Sequence, residues 1–270
     1  MRAHCLVIAT AVSLAACEAP PPVQSVTAVP GELVDLTHAY DASAIFWPTA
    51  EPFRHEKVAD GITPQGYYYA SNNFFSSEHG GTHIDAPVHF AHGRQAVDQI
   101  PLENLVGPAV VIDVTEQSNA NADYQVTVQD FERWEKVHGT IAPETIVLLR
   151  TGFSRRWPDA AKYLGTAERG EAAVAKLHFP GLHPDGAKWI VSSRPIKAIG
   201  IDTASIDYGQ STLYESHRVL YDRNIPAFEN LTALDRLPPR GATIVALPMK
   251  IRNGSGAPLR AIAILPPAAR

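Results

Sequence analysis

Twenty-two prolines and 18 glycines interrupt this 270-residue chain so often that little room is left for long helices. Proline fixes φ and removes a backbone donor, and glycine weakens a helix interior, so both favour short elements joined by shaped loops. Between the interruptions lie short apolar, β-branched runs over residues 33–36, 53–58, 67–75, 109–114, 145–150, 198–202, 243–247 and 260–265. Their lengths, and the Gly, Pro, Asp or Asn residues that bound most of them, predict strands. Val110-Val111-Ile112 and Ile146-Val147-Leu148-Leu149 are apolar at successive positions, which suits central strands covered on both faces.

Helical patterns are fewer. Residues 128–137 follow Thr127, a residue suited to capping, and carry Phe131, Trp134 and Glu135 at helical spacing. Residues 160–177, broken near Gly165, and 184–191 predict two more helices, and 216–221 one or two turns. There is no 20–50-residue repeat and no second composition regime, so residues 31–270 are expected to form one compact α/β domain. A hydrophobic content of 45% supports one substantial core. The net charge is −5 and no Lys/Arg cluster stands out, so a nucleic-acid partner has no electrostatic footprint.

The N-terminus differs in kind. Arg2 precedes a short apolar stretch over 5–16, too short to span a bilayer, which predicts an export signal. Its end, Leu14-Ala15-Ala16-Cys17, resembles the lipobox of bacterial lipoproteins. That resemblance implies a signal peptide over 1–17 with Cys17 as the lipidated residue, a tether over 18–30, and a location in the periplasm or at the periplasmic face of a bacterial membrane. Membrane contact would then run only through the lipid. Cys5 and Cys17 are the only cysteines, so the domain has no thiol nucleophile, no disulfide and no cysteine-based zinc site.

Residues 78–92 read Glu-His-Gly-Gly-Thr-His-Ile-Asp-Ala-Pro-Val-His-Phe-Ala-His and hold four of the 11 histidines. In an extended segment alternate side chains share a face, so His83 and Asp85 point the same way. His79 has the same parity, and Gly80-Gly81 lets the backbone bend to bring it in. A helical i,i+4 pair is the rival geometry, but two glycines and Pro87 disfavour it. Two imidazoles and a carboxylate suit Zn²⁺ or Mn²⁺ and leave positions open for water and substrate. His89, on the same face if the extended geometry persists, is either a fourth ligand or a proton carrier beside activated water. A zinc-protease reading fails for want of a His-Glu-x-x-His helix.

The stretch His-Gly-Gly-Thr-His-Ile-Asp-Ala-Pro-Val-His (79–89) resembles the His-x-Gly-Thr-His-x-Asp-x-Pro-x-His signature of the cyclase superfamily, which includes bacterial kynurenine formamidases and isatin hydrolases. The likeness extends to Val34-Asp35-Leu36-Thr37-His38, to residues 105–113, to Gly200-Ile201-Asp202-Thr203, and to Ser216-His217 and Glu229-Asn230-Leu231. It implies a mixed α/β domain of the swivelling β/β/α type, usually in dimers or tetramers. It implies His79, His83 and Asp85 as metal ligands and His89 as the catalytic histidine. His217 and Glu229 match residues that help form the metal site of kynurenine formamidases, where two zinc ions can bind. Isatin hydrolases resemble one-metal manganese enzymes instead, so one ion or two stays open here.

The implied reaction is hydrolysis of a small aromatic amide by metal-activated water, with His89 carrying a proton to the leaving nitrogen. An N-formyl aromatic amine such as N-formylkynurenine is one substrate class, and opening of a cyclic amide such as isatin is the alternative. Phe46 and Trp47, in a loop, and the run Tyr67-Tyr68-Tyr69 with Phe74-Phe75 are candidates for a substrate wall. Asp202, Ser205 and Asp207 follow a predicted strand, where sites often gather. A reading of another class is a lipid-anchored metal- or ligand-binding protein without turnover, which would have no use for His89.

Overall fold

The computed structural model describes residues 31–267, so the expected export signal, Cys17 and the expected tether over 18–30 lie outside the described residues. Twelve strands are present among the residues described: β1 (Leu33–Asp35), β2 (Arg54–Ile62), β3 (Tyr68–Phe75), β4 (His83–Asp85), β5 (Val106–Asp113), β6 (Gln125–Val126), β7 (Ile146–Arg150), β8 (Gly181–Leu182), β9 (Ala198–Ile201), β10 (Ala227–Glu229), β11 (Arg240–Pro248) and β12 (Gly256–Ile264). Eight join in the order β1-β12-β11-β5-β7-β9-β10-β4. Strands β5, β7, β9 and β10 run parallel, and the other pairings are antiparallel.

One further pairing closes the sheet. The edge of β12 away from β11 is shared, its first residues going to β4 and its last to β1. Because β4 also pairs with β10, seven strands form a closed mixed ring with β1 attached outside it. The single α/β domain expected from the sequence is thus the fold found.

Strand parity explains the doubly apolar runs. Ala109, Val111, Ile146, Leu148 and Ala198 join Ile84, Phe228, Ala246 and Ala261 in one buried cluster. Their alternates Val110, Ile112, Val147, Leu149, Ile199 and Ile201 pack instead with Phe131, Ile190 and Leu220 of the helices Val128–His138, Pro184–Ser193 and Glu215–Tyr221. Each such strand buries both faces, which is why its sequence shows no alternation. The first of these helices starts as expected at Thr127, whose backbone N–H and hydroxyl both donate to Asp130.

The helix expected over 160–177 divides into Ala160–Leu164 and Glu171–Val174. Gly165 ends the first piece in the left-handed region at φ +88°, where a Cβ would meet the His178 backbone nitrogen at 2.8 Å. The segment folds over the loop carrying Ile45 and Trp47, with Phe153, Tyr163, Leu164, Leu177 and Phe179 packed beneath it.

Strands β2 and β3 form a separate two-stranded hairpin. Tyr67, Tyr68, Tyr69, Phe74 and Phe75 lie on it, each more than two-fifths exposed. The expectation that these rings wall a substrate site is therefore corrected, because strand periodicity says nothing about which body a hairpin faces.

Candidate metal centre

Strand β4 sets the site. Ile84 points into the core while His83 and Asp85, on the other face, are buried against each other, with His83 Nε2 3.1 Å from Asp85 Oδ1. Antiparallel pairing sets Glu229 of β10 directly opposite His83, and its Oε2 lies 3.4 Å from His83 Nε2. His79 reaches the same carboxylate, Nδ1 to Asp85 Oδ1 at 2.7 Å. Gly80 permits this because a Cβ there would lie 2.0 Å from the Phe46 ring.

His217 enters from the helix Glu215–Tyr221. Its Nε2 is 3.4 Å from Asp85 Oδ2 and 3.2 Å from Glu229 Oε1. One turn on, Tyr221 donates its hydroxyl to Asp85 Oδ2 at 2.9 Å. Each carboxylate thus splits its oxygens. Asp85 Oδ1 and Glu229 Oε2 face His83, and Asp85 Oδ2 and Glu229 Oε1 face His217.

His89 arrives by a different route from the one expected. Strand geometry ends at Asp85, and Pro87–His89 is a single tight 3-10 turn, with the His89 N–H donating to the Ala86 carbonyl. Pro87 fixes φ and has no N–H to continue the ladder. The turn stacks the His89 ring on His79 at 3.8 Å and leaves Nε2 4.0 Å from Asp85 Oδ2.

The donor chemistry fits a divalent cation. His83 Nδ1 donates to the Gly81 carbonyl at 3.0 Å, and His217 Nδ1 donates to Asp207 Oδ2 at 2.5 Å. Both acceptors fix the hydrogen on Nδ1, so Nε2 of each ring is the nitrogen turned to the carboxylates. Two groups, His79/Asp85/His89 and His83/Asp85/Glu229, each offer ligand atoms within 4.8 Å of one another. Three imidazoles and two carboxylates meeting this closely, with further rings behind them, form the mixed N/O set that Zn²⁺ or Mn²⁺ takes.

The electrostatics agree. Burial works to raise the Asp85 carboxyl, yet the His79 charge and hydrogen bonds from His217, His79 and His83 hold it well below the usual range. Burial opposes the charged forms of His83 and His217, but their carboxylate neighbours push both above the ordinary histidine value. Burial raises Glu229, with the Asp85 charge adding to it. At His89 burial dominates and lowers the pKa to about 4, so its ring is neutral at pH 7 and able to accept a proton.

The centre opens into a cavity of about 300 Å³. Phe46 and Trp47 line it, together with Ile45, Phe90, Ala204, Ser205 and Tyr214, none of which the sequence offered for the wall; Ser205 was singled out only as a residue following a predicted strand. Asp207 does its work behind His217, whereas Asp202 turns away to accept from Thr151 and Gly152. Tyr221 and Ser255 also touch the centre; they carried no local signal, because their contacts cross 136 and 176 residues of sequence.

A family model described as "Putative cyclase" matches residues 34–208, and the chain belongs to that cyclase family. It is 33% identical over 211 residues to an isatin hydrolase of Roseibium aggregatum, covering 75% of this chain and 78% of that protein. It is 33% identical over 235 residues to a kynurenine formamidase of Salinibacter ruber, covering 85% and 96%. The solved isatin hydrolase A of Ralstonia solanacearum superposes with a TM-score of 0.77 at 37% identity, over 87% of this chain and 92% of that one.

Proposed function

We propose that this chain is a metal-dependent hydrolase of small aromatic amides, with His79, His83, Asp85, His217 and Glu229 as the metal-holding set and His89 as the proton carrier. The observation that carries this reading is the convergence of those six side chains on the wall of a cavity whose lining also includes Phe46, Trp47, Phe90 and Tyr214. A divalent ion there supplies Lewis acidity toward water and an amide carbonyl. The aromatic walls hold the aryl ring. His89, neutral and stacked beside the centre, takes the proton of the attacking water and returns it to the departing nitrogen as the C–N bond breaks. The acyl carbon gains the hydroxyl, and the nitrogen leaves with that one proton as the neutral amine.

An N-formyl aryl amine, releasing formate, is the first substrate class, in line with the formamidase relatives and with the presence of both His217 and Glu229. The split carboxylates supply two donor groups, which supports two ions, Zn²⁺ or Mn²⁺. Ring-opening of a cyclic amide such as isatin is favoured by a separate observation. Among the described residues lining the cavity there is no Lys or Arg, so the wall has no counter-ion for a substrate α-carboxylate. Purified protein loaded with Mn²⁺ or Zn²⁺ and assayed on N-formylkynurenine and isatin separates the two. Turnover of neither removes both readings.

Two properties of the whole protein belong to the same proposal. The Leu14-Ala15-Ala16-Cys17 sequence supports export with lipidation at Cys17, testable by acyl labelling and by Cys17→Ser. The isolated hairpin supports a homo-oligomer, since a two-stranded ribbon with exposed rings is marginal alone in water; light scattering reads the subunit number.

A further inference from the structure

Behind His79 runs a line of hydrogen bonds that never touches the cavity. Ser255 Oγ lies 2.8 Å from His79 Nε2 and 2.7 Å from Glu78 Oε2. The same Glu78 oxygen accepts the backbone N–H groups of Ser255, at 2.9 Å, and Gly256, at 3.2 Å. A carboxylate oxygen that takes two amide donors is the accepting end of the line. The Ser255 hydroxyl therefore gives its hydrogen to Glu78 and keeps only lone pairs for His79. Only a ring N–H satisfies those lone pairs, so the hydrogen of His79 sits on Nε2. Nδ1, 2.7 Å from Asp85 Oδ1, is then the nitrogen left with a lone pair for an ion.

We propose that Glu78 and Ser255 are positioning residues that fix the tautomer and ring plane of His79 for metal binding, an inference that rests on the reading of His79 as a ligand. Each ligand imidazole then has its own anchor: a backbone carbonyl for His83, a carboxylate for His217, and a hydroxyl backed by a carboxylate for His79. Gly256 is part of the device. A Cβ there would lie 2.5 Å from His79 Cε1, so only a glycine lets the ring lie along the start of β12, next to Ser255. Anchoring partners of this kind orient ligand histidines and raise their basicity, and their loss weakens metal binding by about 10–100-fold.

The test uses the full chain. Ser255→Ala removes the bridge but leaves Glu78 its two backbone donors, so the start of β12 stays held. Zn²⁺ affinity from chelator competition is expected to fall about 10–100-fold, with Ser255→Thr restoring it. ¹⁵N NMR of the zinc-loaded wild type is expected to show an Nε2–H on His79 that Ser255→Ala loses. Glu78→Gln, which keeps an acceptor oxygen but not its charge, is expected to fall between the two. Unchanged affinity in Ser255→Ala, an Nδ1–H tautomer in the wild type, or a metal-free melting temperature that drops in step with affinity overturns the proposal. Failure of the wild type itself to bind Zn²⁺ or Mn²⁺ overturns instead the reading of His79 as a ligand.

Discussion

Nδ1 of His217 and Oδ2 of Asp207 lie 2.5 Å apart, both buried, on the far side of the ring from Asp85 and Glu229. Asp207 also accepts the backbone N–H groups of Ser216 and His217, which seats it at the start of the helix that carries the histidine. In Asp207→Asn the amide oxygen accepts more weakly. If the amide nitrogen turns inward instead, it forces the ring hydrogen onto Nε2, against the two carboxylates. Metal affinity is expected to fall about 10–100-fold with the circular-dichroism spectrum unchanged. Isothermal titration with Mn²⁺ reads the change, and wild-type affinity would remove Asp207 from the site.

His89 stacks on His79 yet lies 4.0 Å from Asp85, farther than any other imidazole of the cluster. His89→Ala is expected to retain bound metal, counted by atomic emission, while turnover falls about 10²–10⁴-fold, the range for a lost general acid–base. Loss of metal in parallel with turnover would make His89 a ligand. Unchanged turnover would take the proton-carrier role away from His89.

Much of this was legible in the chain itself. All eight apolar runs became strands, because each is long enough to show its pattern between punctuating residues. The two-residue strands β6 and β8, and β10 with three, offer no such window. The closure of the ring was not legible at all. It depends on β4 meeting β10 and β12, pairings that join His83 to Glu229 and Pro258 across much of the chain. His79, His83 and Asp85 were readable because alternation and two glycines act locally. His217 and Glu229 needed the family resemblance, and Ser255, Tyr221 and Tyr214 are brought in by tertiary structure alone.

His38 stacks flat on Trp157, with ring centroids 4.1 Å apart, and among the described residues its buried Nε2 has no hydrogen-bond partner. Burial lowers its pKa from 6.5 to about 4. The unfolded chain therefore binds this proton more readily than the folded one. The stabilising effect is complete above pH 6.5 and fades as pH falls toward 4, a loss of about 3 kcal/mol at most. His38→Phe keeps the stack and removes the proton site. Urea unfolding of metal-free protein at pH 7 and pH 4.5 is expected to show a smaller acid loss in the variant. Equal losses in both proteins would mean that His38 is already charged in the fold.

Tyr214 occupies the left-handed region, φ 47° and ψ 45°, where a side chain is costly by about 1–2 kcal/mol. Its ring lines the cavity 5.0 Å from Phe90 and 6.5 Å from Trp47, and among the described residues its hydroxyl makes no hydrogen bond. Strain retained at a cavity wall points to a side chain kept for its contact with substrate. Tyr214→Gly removes the strain together with the wall, so melting temperature is expected to hold or rise while KM for an aromatic amide rises up to about tenfold, the worth of one aromatic contact. Metal content is expected to stay at the wild-type level. Tyr214→Phe separates ring from hydroxyl: a KM near wild type assigns the role to stacking, and a KM matching Tyr214→Gly assigns it to the free hydroxyl. A Tyr214→Gly variant with lower stability and unchanged KM would show that the residue serves the helix behind it and not the cavity in front.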